Sequence, residues 1–180
     1  MKTRRSIGTF WLKNYISWIV YGLSAVLMVL VQNAPHLFPT LWHARPVPIV
    51  LFVVCVAVLE GARIGAVVGL GAGLLWDIYA FHLFGFNALI LLAVGLTVGV
   101  LVEWLLRANF LSSMLLCGGA LLAQALLEWF FCYVIFGREG VWHILWKVYL
   151  PNAVYTALLA PAMYYLVLWI ARFIRRRQGR

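Results

Sequence analysis

Apolar runs follow one another along this chain with only short polar intervals between them, and that alternation constrains the fold more than any motif does. The runs cover 14–31, 47–59, 64–80, 87–106, 110–136 and 150–170 of 180 residues. Crossing a bilayer core takes roughly 20 apolar residues in a helix. In lipid, only helices and closed barrels satisfy every backbone polar group. Apolar residues make up 66% of the chain and charged residues 11%, against about 45–50% and 25% in a soluble domain. A soluble fold of this size would leave large apolar patches in water. The expectation is an all-α, polytopic six-helix transmembrane bundle, with residues 1–180 forming one integral membrane domain.

Two runs need comment. The first follows Lys2, Arg4, Arg5 and Lys13 and ends in Gln32-Asn33-Ala34-Pro35 without a small-x-small cleavage site, so it reads as a retained helix rather than a signal peptide. The second is short for a span. Either its helix starts inside the proline-rich connection before it, or it crosses a thinned or protein-shielded region. Within 137–149, Val141, Ile144, Leu145 and Val148 share a helical face, with Trp142 and Trp146 nearby. That predicts a short amphipathic helix on the outer surface, a lipid anchor or a partner contact.

Charge sets the orientation. There are 14 Lys+Arg against 5 Asp+Glu. Lys2, Arg4, Arg5, Lys13, Arg63, Arg107, Arg172, Arg175, Arg176, Arg177 and Arg180 fall on one side of a six-span layout, and Arg45, Arg138 and Lys147 on the other. The excess marks the cytoplasmic face and places both termini inside. Because the basic residues flank spans, a membrane explains them better than nucleic acid does. Trp11, Trp42, Trp76, Trp104, Trp142, Trp146 and Trp169 stand near run ends, as an interfacial belt should.

The third run carries the clearest pattern. Gly61, Gly65, Gly69 and Gly73 recur every four residues, with Gly71 added, and Gly95 and Gly99 repeat the spacing in the fourth run. Small residues let two backbones approach closely in lipid, where no hydrophobic drive joins helices. Gly61, Gly65, Gly69, Gly73, Gly95 and Gly99 are candidates for helix packing or for docking a partner helix, and the third helix is expected at the centre of the bundle. Asp77 continues the series, and a carboxylate at that depth needs a partner. Arg45 is one candidate and local backbone donors are the other. Glu103 and Arg107, four residues apart, read as a surface ion pair, and Glu60 with Arg63 as a similar local pair. Gln124 and Glu128 share a face of the fifth run. With Asp77 they are the intramembrane polar candidates. Glu128 is expected either protonated or meeting Asn152 and Tyr155 at the start of the last run.

Little else points to chemistry. Cys55, Cys117 and Cys132 lie in apolar runs without CxxC spacing, so neither a disulfide framework nor a thiolate metal site is expected. His36, His43, His82 and His143 show no helical H-x-x-x-H spacing, and no metal or other cofactor is predicted. No P-loop, H-E-x-x-H or dinucleotide fingerprint occurs. Gly22-Leu23-Ser24-Ala25-Val26 lacks the closing glycine of a nucleophile elbow. No catalytic residue is assigned and no enzyme is expected.

The stretch 65–89 reads G-A-V-V-G-L-G-A-G-L-L-W-D-I-Y-A-F-H-L-F-G-F-N-A-L. It resembles the most recognisable segment of the MreD family of bacterial rod shape-determining membrane proteins. That family shows a glycine-rich helix ending in G-L-L-x-D, then a glycine and an A-L pair opening the next helix. The matching positions are Gly73, Leu74, Leu75, Asp77, Gly85, Ala88 and Leu89. Arg45-Pro46 before the second run and the basic tail after Pro151 are also similar. Either Asn152 or Thr156 fills the polar position early in the last helix. The resemblance implies a non-enzymatic scaffold in the bacterial inner membrane, supporting cell shape and lateral peptidoglycan synthesis. It implies contact with an MreC-like bitopic protein and, through it, with MreB, RodA and a class B penicillin-binding protein. The implied fold is akin to the substrate-capture subunit of energy-coupling-factor transporters. Such a vitamin-transporter subunit, with a pocket near Asp77, Glu128 and Trp76, is the alternative reading, although the A-x-x-x-A docking stripe of those subunits is missing from 21–30.

Overall fold

The computed structural model describes residues 15–34, 46–79, 84–105, 109–131, 143 and 145–177. Among them are six α-helices and no strand: α1 Tyr15–Asn33, α2 Pro48–Glu60, α3 Ala62–Asp77, α4 Phe86–Trp104, α5 Phe110–Trp129 and α6 Leu150–Arg177. Residues Phe86–Trp104, Phe110–Trp129 and Leu145–Arg176 form helices long and apolar enough to cross a membrane. A π-helical turn, Leu145–Tyr149, leads straight into α6. Of the segment expected to lie on the outer surface, Leu145–Tyr149 runs directly into the last helix, with Lys147 exposed. Residues 137–142 and 144 lie outside the described residues.

The centre of the bundle is α2 and not the glycine-rich helix. Every residue of α2 from Pro48 to Val58 is buried, and all five other helices touch it. The cause lies in its sequence. Pro48 opens the helix where a missing N–H costs nothing, and Ile, Val, Leu and Phe then cover its whole circumference. A helix apolar all round has no face for water and is buried on every side. At 13 residues and about 1.5 Å per residue it is short of a bilayer core, but the other helices enclose it. The glycine-rich α3 turns one face inward, through Gly65, Val68, Gly69, Ala72 and Gly73, and exposes Arg63, Val67 and Gly71 on the other. Small residues select for close approach to one neighbour, which does not require a central position.

The outer surface is leucine-rich. Leu23, Leu111, Leu115 and Leu158 are each at least 70% exposed, which suits hydrocarbon and not water. Trp104, Trp146 and Trp169 are also exposed near helix ends.

Candidate functional site

The closest packing in the molecule joins α3 to α4. An antiparallel pair of helices can bring backbones together only where side chains are absent. A Cβ added at Gly65 would meet the Gly95 carbonyl oxygen at 2.9 Å and Ala57 Cβ of α2 at 2.5 Å. One added at Gly95 would strike the Gly65 carbonyl, and one at Gly69 the Leu91 carbonyl. Gly73 lies on the backbone of Ala88, with Asn87 O at 2.7 Å from the added atom, and Gly99 on Ala62. Each turn of α3 from Ala62 to Gly73 is therefore in backbone contact with α4. Gly71 meets nothing within 4 Å and belongs to the outer face.

Each end of this pair is closed by a carboxylate from the opposite helix. The first N–H groups of a helix lack internal partners. At one end Asp77, the last residue of α3, accepts the backbone N–H groups of Gly85 at 2.9 Å, Asn87 at 3.2 Å and Ala88 at 3.2 Å. These are the N-cap and first turn of α4, where a negative group also meets the positive end of the helix dipole. Asp77 is only 4% exposed. Its partners are thus the local backbone donors. Arg45, the other candidate, lies outside the described residues. Gly85 has φ +93°, a left-handed conformation that an L side chain would strain. At the opposite end the Ala62 N–H donates to Glu103 Oε1 at 2.9 Å. Gly61 stands at φ +89°, and a Cβ there would lie 2.5 Å from the same oxygen. Glu103 was expected in an ion pair with Arg107, which lies outside the described residues; the bond it makes is to the cap of α3. Carboxylate caps at both ends and glycines between them lock the register of α3 on α4.

The family-motif residues divide along this geometry. Gly73, Asp77, Gly85 and Ala88 meet in the turn, while Leu74 and Leu89 point outward, at 37% and 67% exposed. Leu75 packs partly against the core.

The start of α2 is closed in the same manner, by side chains distant in sequence. Val47 N–H donates to Thr156 Oγ1 at 3.0 Å, and Ile49 N–H to Gln32 Oε1 at 3.4 Å. Thr156, fully buried, in turn donates to Asn152 O at 2.6 Å. At the other end of α2, Glu60 accepts from Tyr21 Oη at 3.0 Å and stands 3.6 Å from the Arg175 guanidinium. Arg175 also donates to Leu59 O at 3.0 Å. The expected local pairing of Glu60 with Arg63 is corrected: Arg63 is turned outward on α3, and Glu60 instead ties α1, α2 and α6 together. A tyrosine amid an apolar run was the available signal for this bond, but its partner 39 residues away was not visible.

Gln124 and Glu128 of α5 face the interior near the Asp77 turn. Gln124 Nε2 donates to Glu128 Oε1 at 2.8 Å and to Asn87 Oδ1 at 3.2 Å. A polar chain thus runs from Asp77 through Asn87 and Gln124 to Glu128. Beside it lies a cleft of about 40 Å³, lined in part by Trp76, Gln124, Glu128, Asn152 and Thr156. Asn152 lines this cleft, and Tyr155 is not among the lining residues. Among the described residues no group of three or more His, Cys, Asp or Glu could hold a metal ion. His36, His43 and His82 lie outside them.

A family profile described as rod shape-determining protein MreD matches residues 13–177. No curated protein and no solved structure matches the chain.

Proposed function

This chain belongs to the MreD family of rod shape-determining proteins, and we propose that it acts as a non-enzymatic scaffold of the rod-elongation complex. In this reading it sits in the bacterial inner membrane as a multi-pass protein and presents rigid helix faces to an MreC-like bitopic partner. Through that partner it supports MreB, RodA and a class B penicillin-binding protein in lateral peptidoglycan synthesis. The observation that carries the reading is the α3–α4 pair, closed by carboxylates at both ends and in backbone contact between them. A scaffold transmits position only if its helices do not slide, and this pair has no free register. Gly61, Gly65, Gly69, Gly73, Gly95 and Gly99 serve internal packing in this reading. Partner spans meet the outer faces.

We place both termini on the cytoplasmic side. Glu60 bonds Arg175, and Glu103 bonds the start of α3, so Arg63, Arg172, Arg175 and Arg176 gather at one end of the bundle. Lys147 stands at the other. The positive-inside rule assigns the arginine end to the cytoplasm. The alternative, a vitamin-capture subunit, asks for a pocket of roughly 300 Å³ or more. The cleft at Trp76, Gln124 and Glu128 holds about 40 Å³, and this favours the scaffold.

The test is purification of the tagged full chain from its own membranes in mild detergent. Co-purification of an MreC-like bitopic protein with rod-elongation enzymes is the expected result. Recovery of an ATPase pair with a coupling membrane subunit would overturn the reading.

A further inference from the structure

The arginine end of the bundle carries more positive charge than its carboxylates meet. Glu60 is taken by Tyr21 and Arg175, and Glu103 by the Ala62 N–H. Asp77 and Glu128, the other carboxylates among the described residues, stand at the opposite end. Arg172 and Arg176 of α6 are exposed, and among the described residues no carboxylate pairs with either. Four residues apart, they share a face with about 6 Å of rise between them. Arg175 fixes their depth. It donates to Leu59 O in the last turn of α2, so Arg172 and Arg176 flank the level at which α2 ends and the chain turns into α3.

Their face runs on into the apolar outer side of α6. At about 3.6 residues per turn, Leu158, Tyr165, Trp169, Arg172, Phe173 and Arg176 fall within about 100° of arc, and every one of them is exposed. Trp169 stacks on Phe173 with ring centres 6.2 Å apart and planes 21° from parallel. The order along the helix is therefore an apolar stripe, an aromatic platform and two cations. A phospholipid has the same order of parts: acyl chain, glycerol region, phosphate. Trp rings settle at headgroup level, Arg lays its stem on apolar surface while its head stays polar, and a guanidinium fork matches phosphate oxygens. An acidic soluble protein would match the arginines but not the stripe, which faces hydrocarbon.

We propose that this face of α6 holds an acidic phospholipid, its phosphate between Arg172 and Arg176 and an acyl chain along Trp169, Tyr165 and Leu158. A zwitterionic lipid brings its own ammonium to its phosphate and gains less from the two arginines. The site goes beyond the scaffold reading and does not depend on it: a chain that recovers no partner would still select the lipid.

The experiment measures the thermal unfolding midpoint of the full chain, delipidated in a nonionic detergent. The added probes are dioctanoyl phosphatidylglycerol, dioctanoyl phosphatidylcholine, glycerol phosphate and polyglutamate. A ligand of the folded state raises the midpoint with its occupancy. The expected result is a saturable rise with the glycerol lipid and little with the other three. Arg172→Gln and Arg176→Gln are each expected to weaken half-saturation about five-fold. Arg63→Gln, which removes an exposed cation of the same end on another helix, should leave it unchanged. Equal rises with both lipids, or none with either, would overturn the proposal. A matching rise with glycerol phosphate would reduce the site to an anion site without the stripe, and one with polyglutamate would make the face a protein-docking surface. Equal weakening by Arg63→Gln would replace the site with diffuse charge. The probe comparison on the unaltered chain stands even if a variant does not fold.

Discussion

The α3–α4 pair and the α5–α6 side of the bundle solve the same problem in opposite ways. In α3 and α4, glycines remove the side chains at the contact, backbones touch, and the two carboxylate caps finish the ends. In α5 the glycines Gly118 and Gly119 meet nothing within 4 Å. There the contacts run through side chains: Phe110 lies edge-on to Tyr164 at 5.4 Å and stacks on Tyr165 at 5.9 Å. Side chains of unequal size leave room between helices, and the cleft beside Gln124 and Glu128 is that room. A glycine in lipid therefore has no fixed meaning. Its neighbour across the gap decides whether it is a close-contact residue or only a flexible one.

One substitution made in both regions breaks the comparison most directly. Gly95→Ala drives a methyl into the Gly65 backbone, which has no rotamer to escape by. We expect a loss of about 3 kcal/mol, at the upper end for overpacking, read as the unfolding midpoint in mixed micelles. Asp77→Ala comes next. It leaves the Gly85, Asn87 and Ala88 N–H groups without their acceptor, at about 2 kcal/mol, the upper value for a lost cap. Hydrogen exchange should accelerate at those three amides, and Asp77→Asn, which keeps one oxygen, should lose less. If those amides exchange at the wild-type rate in Asp77→Ala, the cap is not what holds the turn. Tyr21→Phe removes one hydrogen bond to Glu60 and should cost about 1 kcal/mol, with no change at the α3–α4 turn. The smallest effect has the opposite sign. Gly118→Ala has open space and should stabilise by roughly 0.5 kcal/mol through reduced backbone freedom. Destabilisation there comparable to Gly95→Ala would erase the distinction between the regions.

Much of this was legible in the residues. Apolar runs marked six helices because a helix in lipid must satisfy its own backbone. The spacing of Gly65, Gly69 and Gly73 marked a close-packed face, and the isolation of Asp77 in an apolar run demanded a partner. Between Arg45 and local backbone donors the sequence alone does not choose, because an ion pair and a helix cap both satisfy a carboxylate at that depth. The glycines of α3 do not place it at the centre: they signal tight contact, which a single neighbour satisfies. The better signal lay in α2, whose apolar residues leave no polar face. Its shortness looked like an obstacle to spanning, yet only a helix shielded by others can be that short. Glu103 and Glu60 each have an arginine close in sequence, but their bonds run to donors on neighbouring helices.

By itself the sequence determined that the chain is helical, that six helices stand among the described residues and which faces are small enough to touch. Those properties follow from local composition and period, because each helix satisfies its own interior hydrogen bonds. Only the tertiary structure decided where the unsatisfied ends find partners. Thr156 serves Val47 across 109 residues, Glu103 serves Ala62 across 41, and Gln32 serves Ile49 across 17. Helix ends carry donors that no residue of the same helix can meet, and in a low-dielectric interior the nearest acceptor in space takes them, whatever its distance along the chain.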